Sequence, residues 1–272
     1  MTRPRRLIVC ADDFGLDEAV NEAVEEASLK GVLTCASLMV GAPACADAVR
    51  RAKSLPNLAV GLHVTLVDGR PVLPPEEVPA LVQGSGAFDD RMALAGARIF
   101  FSPAARAQAA AEIRAQFEAF AATGLPLDHV NAHKHFHLHP TLARLIIEIG
   151  RDYGMRAMRV PLEPPGRQLH APFAKHLRTR ARAAGIAVND HLLGLAWSGA
   201  MTEARMLALV AALPEGVSEL YCHPASRATA ALTRTMPDYR HTEELAALLS
   251  ARLRAQIERA GIELTTFGRL QG

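Results

Sequence analysis

Short apolar runs alternate with longer amphipathic runs along most of this 272-residue chain. The short runs have the length and composition of buried strands, whereas the longer runs repeat apolar residues every three or four positions, as helices do. The predicted strands are 7–11, 33–40, 58–66, 127–133, 156–160, 217–223 and 262–267. The predicted helices are 17–31, 45–55, 105–124, 141–154, 203–213 and 242–261.

This alternation predicts an α/β fold built on a parallel sheet. Seven or eight strand–helix units favour a (β/α) barrel of seven or eight parallel strands over a doubly wound open sheet. We expect one barrel domain over residues 1–272. The Pro/Gly-rich stretch at about 68–103 is expected to be a long insertion or lid, since loops of that length are often functional. The Pro-rich and basic segment 161–200 gives no clear pattern.

Acidic residues and histidines stand where several of the predicted strands end. Asp12 and Asp13 follow the first strand, and His63 lies near the end of the third. His133 and His223 end two later strands. Because the carboxyl ends of parallel strands meet at one face of a barrel, we expect these side chains to converge there.

The densest group of histidines lies in HVNAHKHFHLHP, residues 129–140, which holds five of the eleven histidines of the chain. If this segment is extended, His133, His135 and His137 share one face. Imidazole is the commonest nitrogen ligand of zinc and similar metals, and two histidines with a carboxylate form a recognised metal-binding set.

Each of these features also has a structural interpretation. Adjacent acids can cap a helix, a single histidine can be a buried structural residue, and a histidine tract can be a solvated loop. Their joint occurrence at four strand ends favours a metal site. One Asp of the pair would then ligate the metal, and the other would accept a proton from the attacking water, which is hydrolytic chemistry. The sequence has no G-x-S-x-G, G-x-G-x-x-G or P-loop motif.

Composition argues against several other classes of protein. Half of the residues are hydrophobic and the net charge is only +2, so no nucleic-acid partner is expected. Four cysteines without a C-x-x-C pair predict small buried residues in a reducing compartment. No apolar run reaches the length of a membrane-spanning helix. We expect a cytoplasmic protein and leave open peripheral contact with the inner membrane.

Five segments carry the most distinctive residues: LIVCADDFGL, VGLHVTL, HVNAHKHFHLHP, YCHP and PDYRHTEELAAL. Together they resemble the motifs of the YdjC-like carbohydrate deacetylases, in the family's order, from residue 7 to about 249. The resemblance implies an irregular barrel of the polysaccharide-deacetylase type, related to the TIM barrel, and a metal-dependent N-deacetylase. SLMVGAPACADAV, VDGRPVLPP and PLDHVNAHKHFHLHPT are more similar to the hopanoid biosynthesis-associated, HpnK-like branch. That branch implies removal of acetate from an N-acetylglucosaminyl hopanoid.

The resemblance also implies roles for individual residues. The implied metal ligands are Asp13, His63 and His133. Asp12 matches the family's catalytic base, and His223 in the C-H-P element is our candidate general acid for the leaving amine. His135 and His137 would contact the ligand residues or the substrate. The least matched region is 161–200, which leaves the substrate pocket undefined.

One divalent metal ion is the expected cofactor. Two nitrogen ligands favour zinc or another transition metal, whereas the resemblance to the family implies magnesium. The expected partner is an N-acetylglucosaminyl lipid or sugar, and the resemblance to the wider family implies a homodimer. A bulky lipid needs an apolar approach, which RIFF (98–101) would supply. The competing expectation is that Ile99, Phe100 and Phe101 pack into the core.

Three alternative functions remain at this point. A deacetylase of soluble chitooligosaccharides would carry the same motifs at the metal. A phosphoesterase would use acids and histidines to hold two metal ions, so metal stoichiometry separates it from a deacetylase. A receiver-like regulator would bind magnesium through the adjacent acids, but it would leave the histidines at the other strand ends without a role.

Overall fold

The structure is a computed structural model that describes residues 3–164 and 168–271. Its described residues form nine strands and ten α-helices, with a 3₁₀ segment after the fourth strand. The strands are β1 (Arg5–Phe14), β2 (Cys35–Leu38), β3 (Ala59–Val64), β4 (Leu127–Ala132), β5 (Ala157–Met158), β6 (Ala187–Val188), β7 (His191–Leu193), β8 (Gly216–Cys222) and β9 (Glu263–Leu264). The helices are α1 (Glu18–Lys30), α2 (Cys45–Ala52), α3 (Met92–Phe101), α4 (Pro103–Ala122), α5 (Pro140–Asp152), α6 (Ala171–Ala183), α7 (Glu203–Ala211), α8 (Ala230–Thr235), α9 (His241–Leu248) and α10 (Ala251–Arg259).

Parallel pairing joins eight of these strands in the order β6-β5-β4-β3-β2-β1-β8-β7, and β9 pairs with β1. The two end strands, β6 and β7, are separated in sequence only by Asn189 and Asp190. The sheet is curled into a half-barrel, and no pairing joins β6 to β7 among the described residues. This arrangement confirms the barrel predicted from the alternation of strand and helix runs, in the irregular form that the resemblance implies.

Alternate residues of β1 belong to two different apolar clusters. Leu7 and Val9 lie in the larger cluster, which includes the buried faces of the helices. Ile8 and Cys10 lie in a smaller cluster with Phe267, inside the barrel. This alternation follows from the period of two in a strand. No helix among the described residues is long and apolar enough to cross a membrane.

Helices occupy parts of both segments that the sequence pattern left without elements. In 68–103 the structure has α3, whose buried face is formed by Ala95, Gly96 and Ile99. In 161–200 it has α6, β6 and β7, while 165–167 lie outside the described residues. The buried face of α6 is mostly alanine between exposed basic residues, so its apolar periodicity in the sequence is weak.

The predicted helix 242–261 is two helices. The first, α9, ends at Leu248, and the second, α10, begins at Ala251. Ser250 separates them, because its side chain accepts hydrogen bonds from the backbone N–H groups of Arg252 and Leu253. A serine in this role is a helix N-cap, so the break has a local cause that a search for apolar periodicity overlooks.

The histidine tract is not extended, so the condition under which its three alternate histidines would share a face is not met. Residues His133–Leu138 form a 3₁₀ segment with a kink, in which Lys134 and His135 have positive φ angles of 52° and 54°. Two consecutive left-handed residues reverse the local direction of the chain, so His133, His135 and His137 do not form one face.

Candidate metal centre

A bulge at the end of β1 directs both adjacent acids into one cavity. Between Ala11 and Phe14, β1 has one more residue than the facing part of β2, and Asp13 has a φ of 62°. In a regular strand, neighbouring side chains point to opposite faces, and a bulge breaks that alternation. Asp12 and Asp13 consequently both line a cavity of about 280 Å³ at the carboxyl ends of the strands.

Asp13, His63 and His133 converge in this cavity. The Oδ1 atom of Asp13 lies 3.0 Å from His133 Nδ1 and 3.2 Å from His63 Nε2. All three side chains are buried, and one potential ligand atom from each lies within 4.8 Å of the others. Two imidazole nitrogens and a carboxylate oxygen are a donor set that suits zinc and other transition metals.

The unused polar atoms of these residues fit a bound cation. Asp13 Oδ2 is buried and has no hydrogen-bond partner among the described residues. An unpaired buried acceptor costs about 1–3 kcal/mol, and a metal ligand role would offset that cost. Burial would raise the pKa of Asp13, but His133 and His63 outweigh it and hold the pKa well below its usual value. Asp13 is therefore ionised, as a metal ligand must be.

Asn131 connects His63 to Asp12 through a single amide group. Its Oδ1 accepts a hydrogen bond from His63 Nδ1 at 2.6 Å, and its Nδ2 donates to Asp12 Oδ1 at 3.2 Å and to Ser37 Oγ at 2.8 Å. His63 Nδ1 therefore carries a proton, and Nε2 faces Asp13 Oδ1 at 3.2 Å. Burial would lower the pKa of His63, but the carboxylates of Asp12 and Asp13 outweigh it and raise the pKa. A metal ion would take the place of the Nε2 proton. The sequence analysis did not single out Asn131. Its place two residues before His133 in a strand, on the same face, is the signal that identifies it.

Asp12 is bound by a buried arginine that the sequence analysis also missed. Arg159 donates to both carboxylate oxygens of Asp12, at 2.5 and 2.8 Å, and to Glu219 Oε1 at 2.9 and 2.6 Å. Burial would raise the pKa of Asp12, but Arg159 outweighs it and holds the pKa far below its usual value. For Glu219 burial prevails over Arg159 and raises the pKa to about 7. The signal for Arg159 was a charged residue inside the apolar run RAMRV.

His223 lines the same cavity beyond the end of β8. Its ring lies 5.4 Å from that of Tyr221 and 5.1 Å from that of Tyr239. Its Nδ1 is buried without a hydrogen-bond partner among the described residues, whereas its backbone N–H donates to Glu244. Burial lowers the pKa of His223, although the negative charges of Asp13 and Asp12 oppose that shift.

The two remaining predicted histidines have different surroundings. His135 lines the cavity, with its ring 5.1 Å from Tyr221. His137 is fully buried, and its Nε2 donates to the carbonyl oxygen of Arg159 at 3.2 Å. Burial lowers the pKa of His137 to about 3. His135 therefore faces the space for a substrate, and His137 holds the backbone that carries Arg159.

Comparison with known proteins assigns the family. The family model described as YdjC-like protein matches residues 6–259. The chain belongs to the YdjC-like family. It is 33% identical over 266 residues to a carbohydrate deacetylase of Geobacillus stearothermophilus, covering 97% of both chains. It is also 33% identical over 269 residues to a carbohydrate deacetylase of Brevibacillus brevis, covering 97% of this chain and 99% of the relative. A crystal structure of an Enterococcus faecalis protein superposes with a TM-score of 0.83 at 26% identity, covering 98% of this chain and 99% of the other.

Two grooves extend from the cavity of this YdjC-like protein. A groove of about 400 Å³ with a mixed lining, named the polar groove here for the charged and amide side chains along it, shares Met39 and Asp68 with the cavity. An apolar groove of about 530 Å³ shares Lys134 and His135 with it. An ion pair between Lys134 Nζ and Asp68 Oδ2, at 2.5 Å, lies where the two grooves meet the cavity.

The apolar groove lies between α3 and the histidine tract, which contribute equal numbers of lining residues. Ile99 is buried, as one of the two expectations had it, but Phe100 and Phe101 are 49% and 79% exposed. The expectation that all three pack into the core was therefore wrong for the two phenylalanines. Phe173 of α6, 50% exposed, lies across the same groove.

Proposed function

We propose that this protein is a metal-dependent N-deacetylase that removes acetate from an N-acetylglucosaminyl hopanoid. The chain is a carbohydrate deacetylase of the YdjC-like family, on the strength of its family match and of relatives at 33% identity over nearly its whole length. The observation that carries the proposed chemistry is the convergence of Asp13, His63 and His133 beside the arginine-bound Asp12.

The proposed base is Asp12, and its environment limits what it can deprotonate. Because Arg159 holds its pKa far below the usual value, Asp12 is ionised at neutral pH but is a weak base. It can accept a proton only from a water molecule that has already been made acidic. A divalent ion held by Asp13, His63 and His133 would supply that acidity and would polarise the acetamide carbonyl. The weak basicity of Asp12 thus supports metal dependence.

The proposed general acid is His223. The ring of His223 lines the cavity, and its Nδ1 has no hydrogen-bond partner among the described residues. Burial lowers its pKa, so a protonated His223 gives up its proton readily to a leaving amine. The carboxylates of Asp12 and Asp13 favour the charged ring before that transfer.

The apolar groove supports a lipid-linked substrate. An acetylated sugar seated in the cavity would place an attached hydrophobic body against Phe100, Phe101 and Phe173, because the groove and cavity share lining residues. Large apolar surfaces are seldom left exposed without a binding role. The same exposed residues support peripheral contact with the inner membrane. A homodimer stays a prediction, to be measured by light scattering of the purified protein.

Soluble N-acetylated oligosaccharides are the alternative substrates, and the polar groove favours them. Arg70, Gln83, Asp90 and Arg234 line that groove and offer hydrogen bonds of the kind that further sugar units would use. Both substrates require the same chemistry at Asp12 and Asp13.

The proposal is tested by incubating the purified protein with zinc, cobalt, manganese or magnesium in turn. N-acetylglucosaminyl bacteriohopane lipid and chitobiose are supplied separately, and mass spectrometry follows the loss of the acetyl group. Deacetylation of the lipid is the expected result. Activity on chitobiose alone would overturn the hopanoid assignment but keep the chemistry. Activity on neither, with metal shown to be bound, would overturn both.

A groove variant separates the two substrates further. Phe101→Ser removes an exposed apolar side chain next to the cavity, so we expect kcat/KM on the lipid to fall about 10-fold or more while activity on chitobiose stays within about 2-fold. Leu29→Ser, which changes a 65% exposed apolar side chain on α1, is the matched control. Equal loss on both substrates would show that the groove does not bind the lipid.

A further inference from the structure

A second group of potential metal ligands lies inside the barrel, separate from the candidate centre above. Cys10 of β1, Cys35 of β2 and His129 of β4 are completely buried. Cys10 and Cys35 are paired residues of adjacent parallel strands, so their thiols lie side by side. One ligand atom from each of the three residues lies within 4.8 Å of the others, and Cys10 Sγ is 3.7 Å from His129 Nε2.

The ring of His129 is held with Nε2 towards the thiols. Its Nδ1 donates to Asp128 Oδ2 at 3.0 Å, and Asp128 is itself fixed by the backbone N–H of Gly268 at 2.8 Å. Phe267 stacks on the ring at 4.6 Å. On the neighbouring strand β3, Gly61 leaves space for the ring, because a Cβ atom on residue 61 would lie 2.5 Å from the His129 ring. A carboxylate that holds the far nitrogen of a histidine is the usual partner of a metal-bound imidazole.

Ser37 supplies a fourth donor to the group. Its Oγ lies 3.4 Å from Cys10 Sγ and 3.1 Å from His129 Nε2. Zinc bonds near 2.3 Å to sulfur and 2.0–2.1 Å to nitrogen place neighbouring ligand atoms about 3.5–3.8 Å apart. The observed distances between the donor atoms are therefore close to those between the ligand atoms of a bound zinc ion, so little movement of the strands would be needed for binding.

We propose that Cys10, Cys35 and His129 bind a thiophilic transition-metal ion, zinc in the cell, as a structural site in the barrel interior. Two thiolates would neutralise a divalent ion, which makes its burial tolerable in a region without solvent. The alternative is a metal-free arrangement in which the Ser37 hydroxyl donates to His129 Nε2.

Cobalt spectroscopy distinguishes this site from the candidate catalytic centre. The set Asp13, His63 and His133 contains no sulfur, so thiolate-to-cobalt charge-transfer absorption in the near ultraviolet reports on cysteine ligands and not on that centre. The full chain is produced in minimal medium with cobalt as the added transition metal, because the buried group would take up an ion during folding. We expect this absorption and two metal ions per chain by elemental analysis. A folded wild-type protein without the absorption, or with no bound ion, would overturn the proposal.

Variants assign the two ions independently. Cys10→Ser and Cys35→Ser are expected to lose the absorption and one ion, whereas His63→Ala loses the other ion and keeps the absorption. Cys45→Ser, a half-buried cysteine on α2, is the matched control and keeps both. Should the buried variants fail to fold, the wild-type spectrum and metal count decide alone. Absorption without deacetylase activity would support this proposal and contradict the proposed function. Deacetylase activity without the absorption would contradict this proposal and support the proposed function.

Discussion

At the scale of single residues, the side chain of Asn131 connects a proposed metal ligand, His63, to the proposed base, Asp12. Its amide oxygen accepts a hydrogen bond from His63 Nδ1, which fixes a proton on that nitrogen. Its amide NH₂ group donates to Asp12 and to Ser37, and the contact with Ser37 holds the amide in this orientation. The amide cannot rotate without placing its NH₂ group against His63 and its oxygen against Asp12. The orientation of a proposed metal ligand and that of the proposed base are therefore set by the same side chain.

Replacing Asn131 tests this coupling. In Asn131→Ala the acceptor for His63 Nδ1 and the donor to Asp12 are both removed. We expect divalent-metal affinity to fall about 10- to 100-fold, the usual effect of removing a residue that orients a metal-bound histidine. Isothermal titration with zinc measures it, and Asn189→Ala, which changes a buried asparagine away from the site, is the control. Unchanged affinity in Asn131→Ala would contradict the orienting role.

Substitutions of Asp12 and of the proposed ligands His63 and His133 should differ in their effect on the amount of bound metal. Asp12→Asn keeps the proposed ligands but removes the base, so we expect metal to stay bound and kcat to fall about 10²- to 10⁴-fold. His63→Ala and His133→Ala remove ligands and should lose the metal itself. Metal content and turnover are measured on the same preparations. Near-normal turnover by Asp12→Asn would show that the base is another group.

At the scale of elements, the sequence pattern was sufficient where burial alone decides the structure. The apolar runs of β1, β3, β4 and β8 and the convergence of polar residues at their ends were predictable, because strand period and parallel topology follow from burial. The bulge in β1 and the left-handed residues of the histidine tract were not. Both features depend on positive φ angles at Asp13, Lys134 and His135, and the spacing of apolar residues in the sequence does not predict those angles.

Glu112 of α4 holds the first part of segment 68–103 in place. Its two carboxylate oxygens accept the backbone N–H groups of Val72 and Leu73, at 2.9 and 3.0 Å. Glu112→Ala leaves both donors unpaired, which should weaken the local structure by about 1–3 kcal/mol. We expect faster amide exchange at Val72 and Leu73, measured by hydrogen–deuterium exchange. Glu118→Ala on the exposed face of α4 is the control, and an equal effect there would contradict the anchoring role.

At the scale of the whole molecule, the titration of a buried carboxyl group should make the free energy of unfolding depend on pH. Glu244 of α9 accepts the backbone N–H groups of Met201 and His223 and so ties α9 to the end of β8. Burial raises its pKa from 4.5 to about 7, although these two N–H groups oppose the shift. A carboxyl group whose pKa is raised by folding binds its proton more tightly in the folded than in the unfolded chain.

The free energy of unfolding should therefore carry a contribution from Glu244 that is present in full below pH 4.5 and is lost as the pH rises to about 7. The loss amounts to about 3 kcal/mol, since each unit of pKa shift corresponds to about 1.4 kcal/mol. Glu244→Gln mimics the protonated group and does not titrate, so the difference in unfolding free energy between wild type and variant should fall by that amount over the interval. Urea unfolding at a series of pH values measures it, and taking the difference cancels the titration of all groups common to both proteins. Glu243→Gln removes one charge from the exposed neighbouring position and serves as the control. A difference that stays constant with pH would show that Glu244 is ionised in the folded protein throughout, and that its two backbone contacts outweigh its burial.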